Sequence, residues 1–233
     1  MPRYDILLMD VDGTVLDFLA AEKAAIQALF LKFGFGPCTD EMVARYSAVN
    51  VRYWEALERG ELTKPEVLVG RFREFFALQG LPVEKAGEFN DAYQLALGDT
   101  VVFCDDCLPL LKQWRNSLTL AAVTNGTYYA QHKKLTISGL YQVFHQVFIS
   151  EKIGTEKPGK AFFEHVFSAL DARDLSRVLI VGDSLTSDIR GGNNAGIDTC
   201  WYNPKGAVND KGATVNYEIR DLHELTAILN GEK

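Results

Sequence analysis

The chain has 233 residues and a formal net charge of −7, with 31 acidic residues against 24 lysines and arginines. At about 150 residues per domain this is one domain with an addition. A composition of 47% hydrophobic and 24% charged residues is that of a globular protein with a sizeable core, not a disordered or fibrous chain. The acidic balance argues against nucleic acid as a partner, because binding it means neutralising many phosphates, but one basic pocket is enough for a small anionic substrate.

No apolar run approaches the ~18–20 residues needed to span a bilayer, so no membrane partner is expected. The first ten residues lack the basic, apolar and small-residue layout of a secretory signal. The four cysteines, Cys38, Cys104, Cys107 and Cys200, are too few for a disulfide scaffold in a chain this long. A cytoplasmic, reduced protein is the expectation.

In chain order, Ile6 to Met9 is a short, fully apolar run, the pattern of a strand buried on both faces. Similar runs follow at Leu118 to Val123, Val147 to Ile149, Val178 to Val181 and Thr199 to Trp201, with helical stretches between them. This alternation predicts an α/β fold, a three-layer doubly wound parallel sheet.

The stretch from about Leu16 to Gly98 interrupts it. Ile26, Leu29, Phe30 and Phe33 recur at helical spacing, as do Leu68, Phe72, Phe75 and Phe76, and Phe89, Ala92, Tyr93, Ala96 and Leu97. Turns are marked by Gly34-Phe35-Gly36-Pro37 and Gly80-Leu81-Pro82. The expected organisation is an α/β core made of residues 1–15 and 99–233, with an all-α unit of residues 16–98 inserted after the first strand.

Open α/β sheets bind ligands beyond the carboxyl ends of their strands. There the sequence places Asp10-Val11-Asp12-Gly13-Thr14, then Thr124-Asn125-Gly126, then Ser150 with Lys157-Pro158, and then Gly182-Asp183-Ser184-Leu185-Thr186-Ser187-Asp188. Asp10 and Asp12, two apart on an extended segment, are expected to leave on the same face. Together with Asp183 and Asp188 they would repel one another unless a cation sat among them, and hard oxygen ligands suit Mg²⁺. Thr124, Lys157 and the amides of a glycine-containing turn are natural holders of phosphate. Carboxylates, cation, hydroxyl and lysine around one point describe phosphoryl transfer.

These four segments resemble, in order and spacing, the four motifs of the haloacid dehalogenase superfamily, whose common cap position is a helical insert after the first motif. The resemblance covers essentially the whole chain. It implies Asp10 as the nucleophile that forms an aspartyl-phosphate, and Asp12 as the acid that protonates the leaving alcohol and later deprotonates water. It implies Thr124, Asn125 and Lys157 around the phosphoryl group, and Mg²⁺ held by Asp10, the backbone carbonyl of Asp12, and Asp183, with Asp188 behind. The superfamily's dehalogenases lack the second aspartate, so Asp12 points to phosphate esters.

A narrower resemblance lies in Asn50, Trp54, Glu58, Gly60, Arg71-Phe72 and Cys200-Trp201-Tyr202-Asn203-Pro204, which look like the bacterial pyrimidine 5′-nucleotidase subgroup. That implies UMP, dUMP and dTMP as substrates. Asn50 and Trp54, one helical turn apart, would offer an amide to the edge of a base and a ring to its face; the plainer reading makes Trp54 part of the cap core. Phosphoglycolate or sugar phosphates, a phosphomutase on the same core, and a catalytically idle binding protein are the rival readings. Monomer and homodimer are both compatible with the sequence.

Other motifs are weaker. Gly154-Thr155-Glu156-Lys157-Pro158-Gly159-Lys160 approaches a P-loop, but Ala161 lacks the hydroxyl and Pro158 lacks a donor. Gly191-Gly192-Asn193-Asn194-Ala195-Gly196 reads as a helix end, not a dinucleotide fingerprint. Cys104 and Cys107 lack a second ligand pair for zinc and read as ordinary thiols. Asn125-Gly126-Thr127 is a chance sequon that feeds a helix N-terminus. The histidines His132, His145, His165 and His223 form no hydrolase triad.

Overall fold

The computed structural model describes residues 3–232. Its centre is one sheet of six parallel strands in the order β3-β2-β1-β4-β5-β6, where β1 is Ile6–Met9, β2 Thr119–Thr124, β3 Gln146–Ile149, β4 Val178–Gly182, β5 Asp198–Tyr202 and β6 Tyr217–Ile219. The first five coincide with the apolar runs to within a residue or so at each end. The sixth, three residues long with an exposed Glu218 at its middle, carries too little apolar pattern to be read from sequence.

Alternation along the strands builds the layers. Leu7 and Met9 of β1, Leu120 and Ala122 of β2, and Leu179 and Val181 of β4 pack on one face. They meet α5 (Leu108–Trp114), α6 (Tyr128–Ile137) and α10 (Leu225–Leu229) through Leu111, Trp114, Leu135, Leu225 and Ile228. The intervening Ile6, Leu8, Ala121, Val123 and Ile180 face the other way, against Phe162, Phe163 and Val166 of α8 (Lys160–Ala169). The short α7 (Ser150–Ile153) follows β3, and α9 (Arg190–Ala195) ends at Gly196, in the left-handed conformation favoured by glycine. The Gly191–Gly196 motif is therefore a helix and its cap. Gly154–Lys160 joins α7 to α8, with no strand before it.

Four helices fill the insert: α1 (Phe18–Lys32), α2 (Asp40–Glu58), α3 (Lys64–Gln79) and α4 (Ala86–Ala96). Asp17 caps α1 by accepting from the Ala20 amide at 3.0 Å, and Thr63 with Glu66 closes a capping box on α3. Their interior is aromatic. Phe30, Tyr46, Phe72, Phe75, Phe76, Phe89 and Tyr93 are all fully buried, with Phe72 and Tyr93 edge-to-face at 5.0 Å and Phe76 and Phe89 at 5.1 Å. Each ring contributes on the order of 2–3 kcal/mol by leaving water, so a single Phe72→Ala change removes a large part of this cluster's hold.

Strand order reverses direction between β1 and β4, since β2 and β3 extend to one side of β1 and β4 to β6 to the other. That switch point opens a crevice at the strand carboxyl ends, and the helical layer roofs it.

Candidate active site

Asp10 follows β1 directly, its amide donating to the Val181 carbonyl of β4 at 2.9 Å. Its side chain is buried at the switch point. Gly13, with φ of +88°, turns the chain back, and a Cβ there would lie 2.6 Å from Asp183 Oδ2. Only glycine combines that backbone with that approach. Gly182, at the end of β4, serves the same purpose for Asp188, whose carboxylate lies 2.2 Å from where a Cβ would stand.

Lys157 joins the pieces. Its Nζ, 2% exposed as a residue, donates to Asp10 Oδ1 at 2.7 Å, Asp188 Oδ1 at 2.6 Å and the Val123 carbonyl at 2.8 Å. Burial alone would lower its pKa, but Asp10 and Asp188 outweigh burial and raise it, so the side chain stays an ammonium. Asn125 clamps the lysine's backbone from both sides: its Nδ2 donates to the Lys157 carbonyl at 2.8 Å and its Oδ1 accepts from the Lys157 amide at 2.9 Å. The side chain expected to face phosphate is thus engaged in positioning Lys157. Thr124, at the tip of β2 and 1% exposed, accepts from the Gly126 amide at 3.1 Å.

Carboxylate oxygens of Asp10, Asp183 and Asp188 lie within 4.8 Å of one another. Asp188 is saturated, with Lys157 on one oxygen and the Ser184 amide on the other at 3.1 Å. Asp183 is not; among the described residues its carboxylate meets the Thr14 hydroxyl, at 3.5 Å, and its own backbone amide, while its backbone carbonyl accepts from Trp201 Nε1 at 2.9 Å. Asp183 is exposed and lines the crevice. Desolvation, then Asp188, push its pKa up to about 7, and burial raises Asp10 as well despite Lys157. Three carboxylates against one ammonium leave an excess of two negative charges, and the least satisfied carboxylate points into the opening. This donor set fits a hard divalent cation.

Asp12 stands apart. Both its carboxylate oxygens turn to α6, Oδ1 to Lys134 Nζ at 2.5 Å and Oδ2 to Gln131 Nε2 at 2.5 Å. The expectation that Asp10 and Asp12 present their carboxylates to one cation is corrected here: a second buried lysine captures Asp12. Nothing in the sequence marked Gln131 and Lys134 beyond their spacing of three on the helix that follows Thr124-Asn125-Gly126.

The crevice is a cavity of about 400 Å³, within the range for small-molecule sites. Asp10, Asp12, Thr124, Lys157 and Asp183 line its floor, and Asn50, Trp54 and Arg71 its roof. Trp54 is half-buried on that roof, not in the cap core. Asn50 is almost wholly buried and held from both ends, receiving Arg71 Nη1 on Oδ1 at 2.7 Å and donating Nδ2 to Glu22 at 3.0 Å. The Arg71 guanidinium, 1% exposed, lies 5.9 Å from the Trp54 ring centroid and 5.3 Å from that of Tyr93. Arg71, quoted in the sequence only as part of a pattern, is thus the cationic member of the roof.

Among the described residues, neither Cys104 nor Cys107 belongs to a cluster that could hold a metal. Burial pushes both the Cys104 and Cys107 thiols up to about 12, which keeps them protonated and unreactive. Cys104 donates its amide to the Val15 carbonyl at 3.0 Å, and Cys107 Sγ lies 3.7 Å from the same oxygen.

The chain is similar to known proteins over its whole length. Residues 7–202 match the haloacid dehalogenase-like hydrolase family. The chain is 40% identical to the HAD-hydrolase YfnB of Bacillus subtilis over 232 residues, covering 100% of this chain and 98% of that one. It is 38% identical to the pyrimidine 5′-nucleotidase PynA of Streptococcus pneumoniae, covering 97% and 95%, and 32% identical to the pyrimidine 5′-nucleotidase YjjG of Escherichia coli, covering 97% and 98%. The crystal structure of YfnB bound to magnesium superposes with a TM-score of 0.91 at 39% identity, over 98% of this chain and 99% of that one. With the family spanning most of its length and relatives matching end to end, the chain belongs to the haloacid dehalogenase-like hydrolases.

Proposed function

We propose that the protein is a Mg²⁺-dependent phosphomonoesterase that works through an aspartyl-phosphate on Asp10, with pyrimidine nucleoside 5′-monophosphates as its substrates. The observation that carries this reading is Lys157, bridging Asp10 and Asp188 beside an unsatisfied Asp183. The nucleotidase assignment is supported by full-length similarity to PynA and YjjG and by a ring and a guanidinium on the cleft roof.

Asp10, the backbone carbonyl of Asp12, and Asp183 would hold the cation, which supplies charge neutralisation at the phosphoryl oxygens. Lys157 keeps the Asp10 carboxylate oriented and draws the phosphoryl group toward it, and the Thr124 hydroxyl donates to a phosphoryl oxygen. Asp10 attacks phosphorus as the bond to the leaving oxygen breaks, and Asp12 gives that oxygen its proton. Asp12 then takes a proton from water as the water oxygen displaces Asp10 from phosphorus.

Residues 16–98 act as a cap on the core of residues 1–15 and 99–233. The polar ties between them include Lys64 with Glu156 at 3.1 Å, Glu55 with Lys211 at 3.1 Å, and Thr127 with Gln94 at 2.9 Å. Such pairs are individually weak, ~0–1 kcal/mol, so the cap opens for exchange and closes to exclude water.

The test is phosphate release, with Mg²⁺ and with chelator, across UMP, dUMP, dTMP, CMP, AMP, GMP, phosphoglycolate and sugar phosphates. Mg²⁺-dependent preference for the uracil and thymine nucleotides is expected. Equal turnover of sugar phosphates discards the nucleotidase assignment, and isomerised product without free phosphate discards hydrolysis.

A further inference from the structure

Two aspartates separated by one residue do different work in the reaction proposed above, on which this inference rests: one attacks phosphorus, the other exchanges protons. A divalent cation held by Asp10 and Asp183 would attract any carboxylate within reach, and Asp12 is a close neighbour. The fold answers with a competing fixed cation. Lys134, 2% exposed, sits on α6 with its ammonium 2.5 Å from Asp12 Oδ1. Gln131, one turn earlier and 1% exposed, donates Nε2 to the other oxygen.

Two details indicate that this arrangement is built for Asp12. Gln131 Oε1 is buried without a hydrogen-bond partner among the described residues, a condition that costs free energy. The opposite amide orientation would set that oxygen against the carboxylate, so Asp12 dictates which way the amide points. Gly126 also clears the path, since a Cβ there would stand 2.1 Å from Gln131 Nε2.

We propose that Lys134 and Gln131 are positioning residues that hold the Asp12 carboxylate out of the acidic cluster, on the α6 side of the cleft, where it serves as proton donor and acceptor instead of cation ligand. The proton moves from Asp12 to the leaving oxygen in the first half-reaction and from water to Asp12 in the second.

The experiment compares wild type, Lys134→Met and Gln131→Leu on UMP and p-nitrophenyl phosphate, with Asp10→Asn alongside. An alkyl leaving group needs the acid, so the Lys134→Met rate on UMP is expected to fall about 10²–10³-fold. p-Nitrophenolate leaves without a proton, so the variant releases one burst per active site and then turns over slowly, because attack by water still needs Asp12. A smaller shift of the same kind is expected for Gln131→Leu. Equal losses on both substrates with no burst overturn the proposal. Crystal structures of metal-free wild type and Lys134→Met add a readout independent of turnover: the Asp12 carboxylate is expected to leave α6 in the variant, and an unmoved carboxylate overturns the proposal. If wild type releases neither phosphate nor p-nitrophenolate, the phosphatase reading fails first, and the crystal structures still decide the role of Lys134.

Discussion

Lys157 Nζ lies 2.7 Å from Asp10 Oδ1 across 147 residues of sequence, and both side chains are almost wholly removed from water. The pair fastens the loop after α7 to the end of β1, and it does so with the charge on which the proposed reaction draws. Breaking a buried pair by removing one partner costs roughly 3–5 kcal/mol, because the remaining charge is stranded. Here Lys157→Met strands two carboxylates. We expect turnover to be abolished and metal-free stability to fall by about that amount, with Mg²⁺ restoring part of the stability by neutralising the cluster. Thermal unfolding with Mg²⁺ and with chelator measures both effects; a variant as stable as wild type in chelator would contradict the arrangement.

Gly13→Ala tests the approach of the turn to Asp183. The substitution meets both a φ of +88° and a contact of 2.6 Å, so strain of about 1–3 kcal/mol is expected. Asp183 must move to relieve it. The stabilisation that Mg²⁺ gives wild type, on the order of 2.7 kcal/mol at a hundred times its Kd, should shrink sharply in the variant. An unchanged Mg²⁺-induced shift in Tm would remove Asp183 from the cation site.

The cap has a pH-sensitive residue of its own. Glu22 is buried beneath Asn50, accepting from Ser47 and Asn50, with Arg71, Tyr46 and Tyr93 as its titratable neighbours. Desolvation raises its pKa to about 7, against an ordinary 4.5, and the hydrogen bonds and Arg71 only partly oppose that rise. The folded protein therefore keeps a proton that the unfolded chain loses. The stability this gives is fully present below pH 4.5 and is lost as pH rises to about 7, to a total of about 3 kcal/mol. Glu22→Gln should remove this slope, gaining on wild type between pH 5 and pH 8 in denaturant melts. Parallel curves across that range would show that Glu22 titrates normally.

Trp54 supplies a ring to the cleft roof. Stacking of a base on an aromatic side chain is worth ~1–3 kcal/mol, so Trp54→Ala should raise KM for UMP about 5–150-fold. The effect on a small phosphoester without a ring should be much smaller. Equal effects on both would return Trp54 to a packing role.

Much of this was legible in the sequence because strands buried on both faces announce themselves. Ile6-Leu7-Leu8-Met9 can hide only in a sheet covered on both sides, and the polar residues after each such run had to gather at one edge. Asp10, Thr124, Lys157, Asp183 and Asp188 do gather there. What stayed hidden depended on side-chain direction. Asp12 is two residues from Asp10, yet its carboxylate goes to α6 because Lys134 waits there, and Lys134 reads in sequence as one more lysine after His132-Lys133. Asn50 and Asn125 carried the right chemistry for recognition, but each amide is engaged with a neighbouring side chain or backbone, a pairing that exists only once distant segments have packed. β6 was silent because three residues paired on one side need little apolar character.

Hydrolysis through a covalent intermediate on Asp10 leaves a chemical trace on the protein. Protein with Mg²⁺ and UMP carrying a radiolabelled phosphate, quenched in acid within milliseconds, should retain up to one base-labile label per chain, and Asp10→Asn should retain none. Full turnover of wild type with no label on the protein, or label retained by Asp10→Asn, would exclude an aspartyl-phosphate on Asp10.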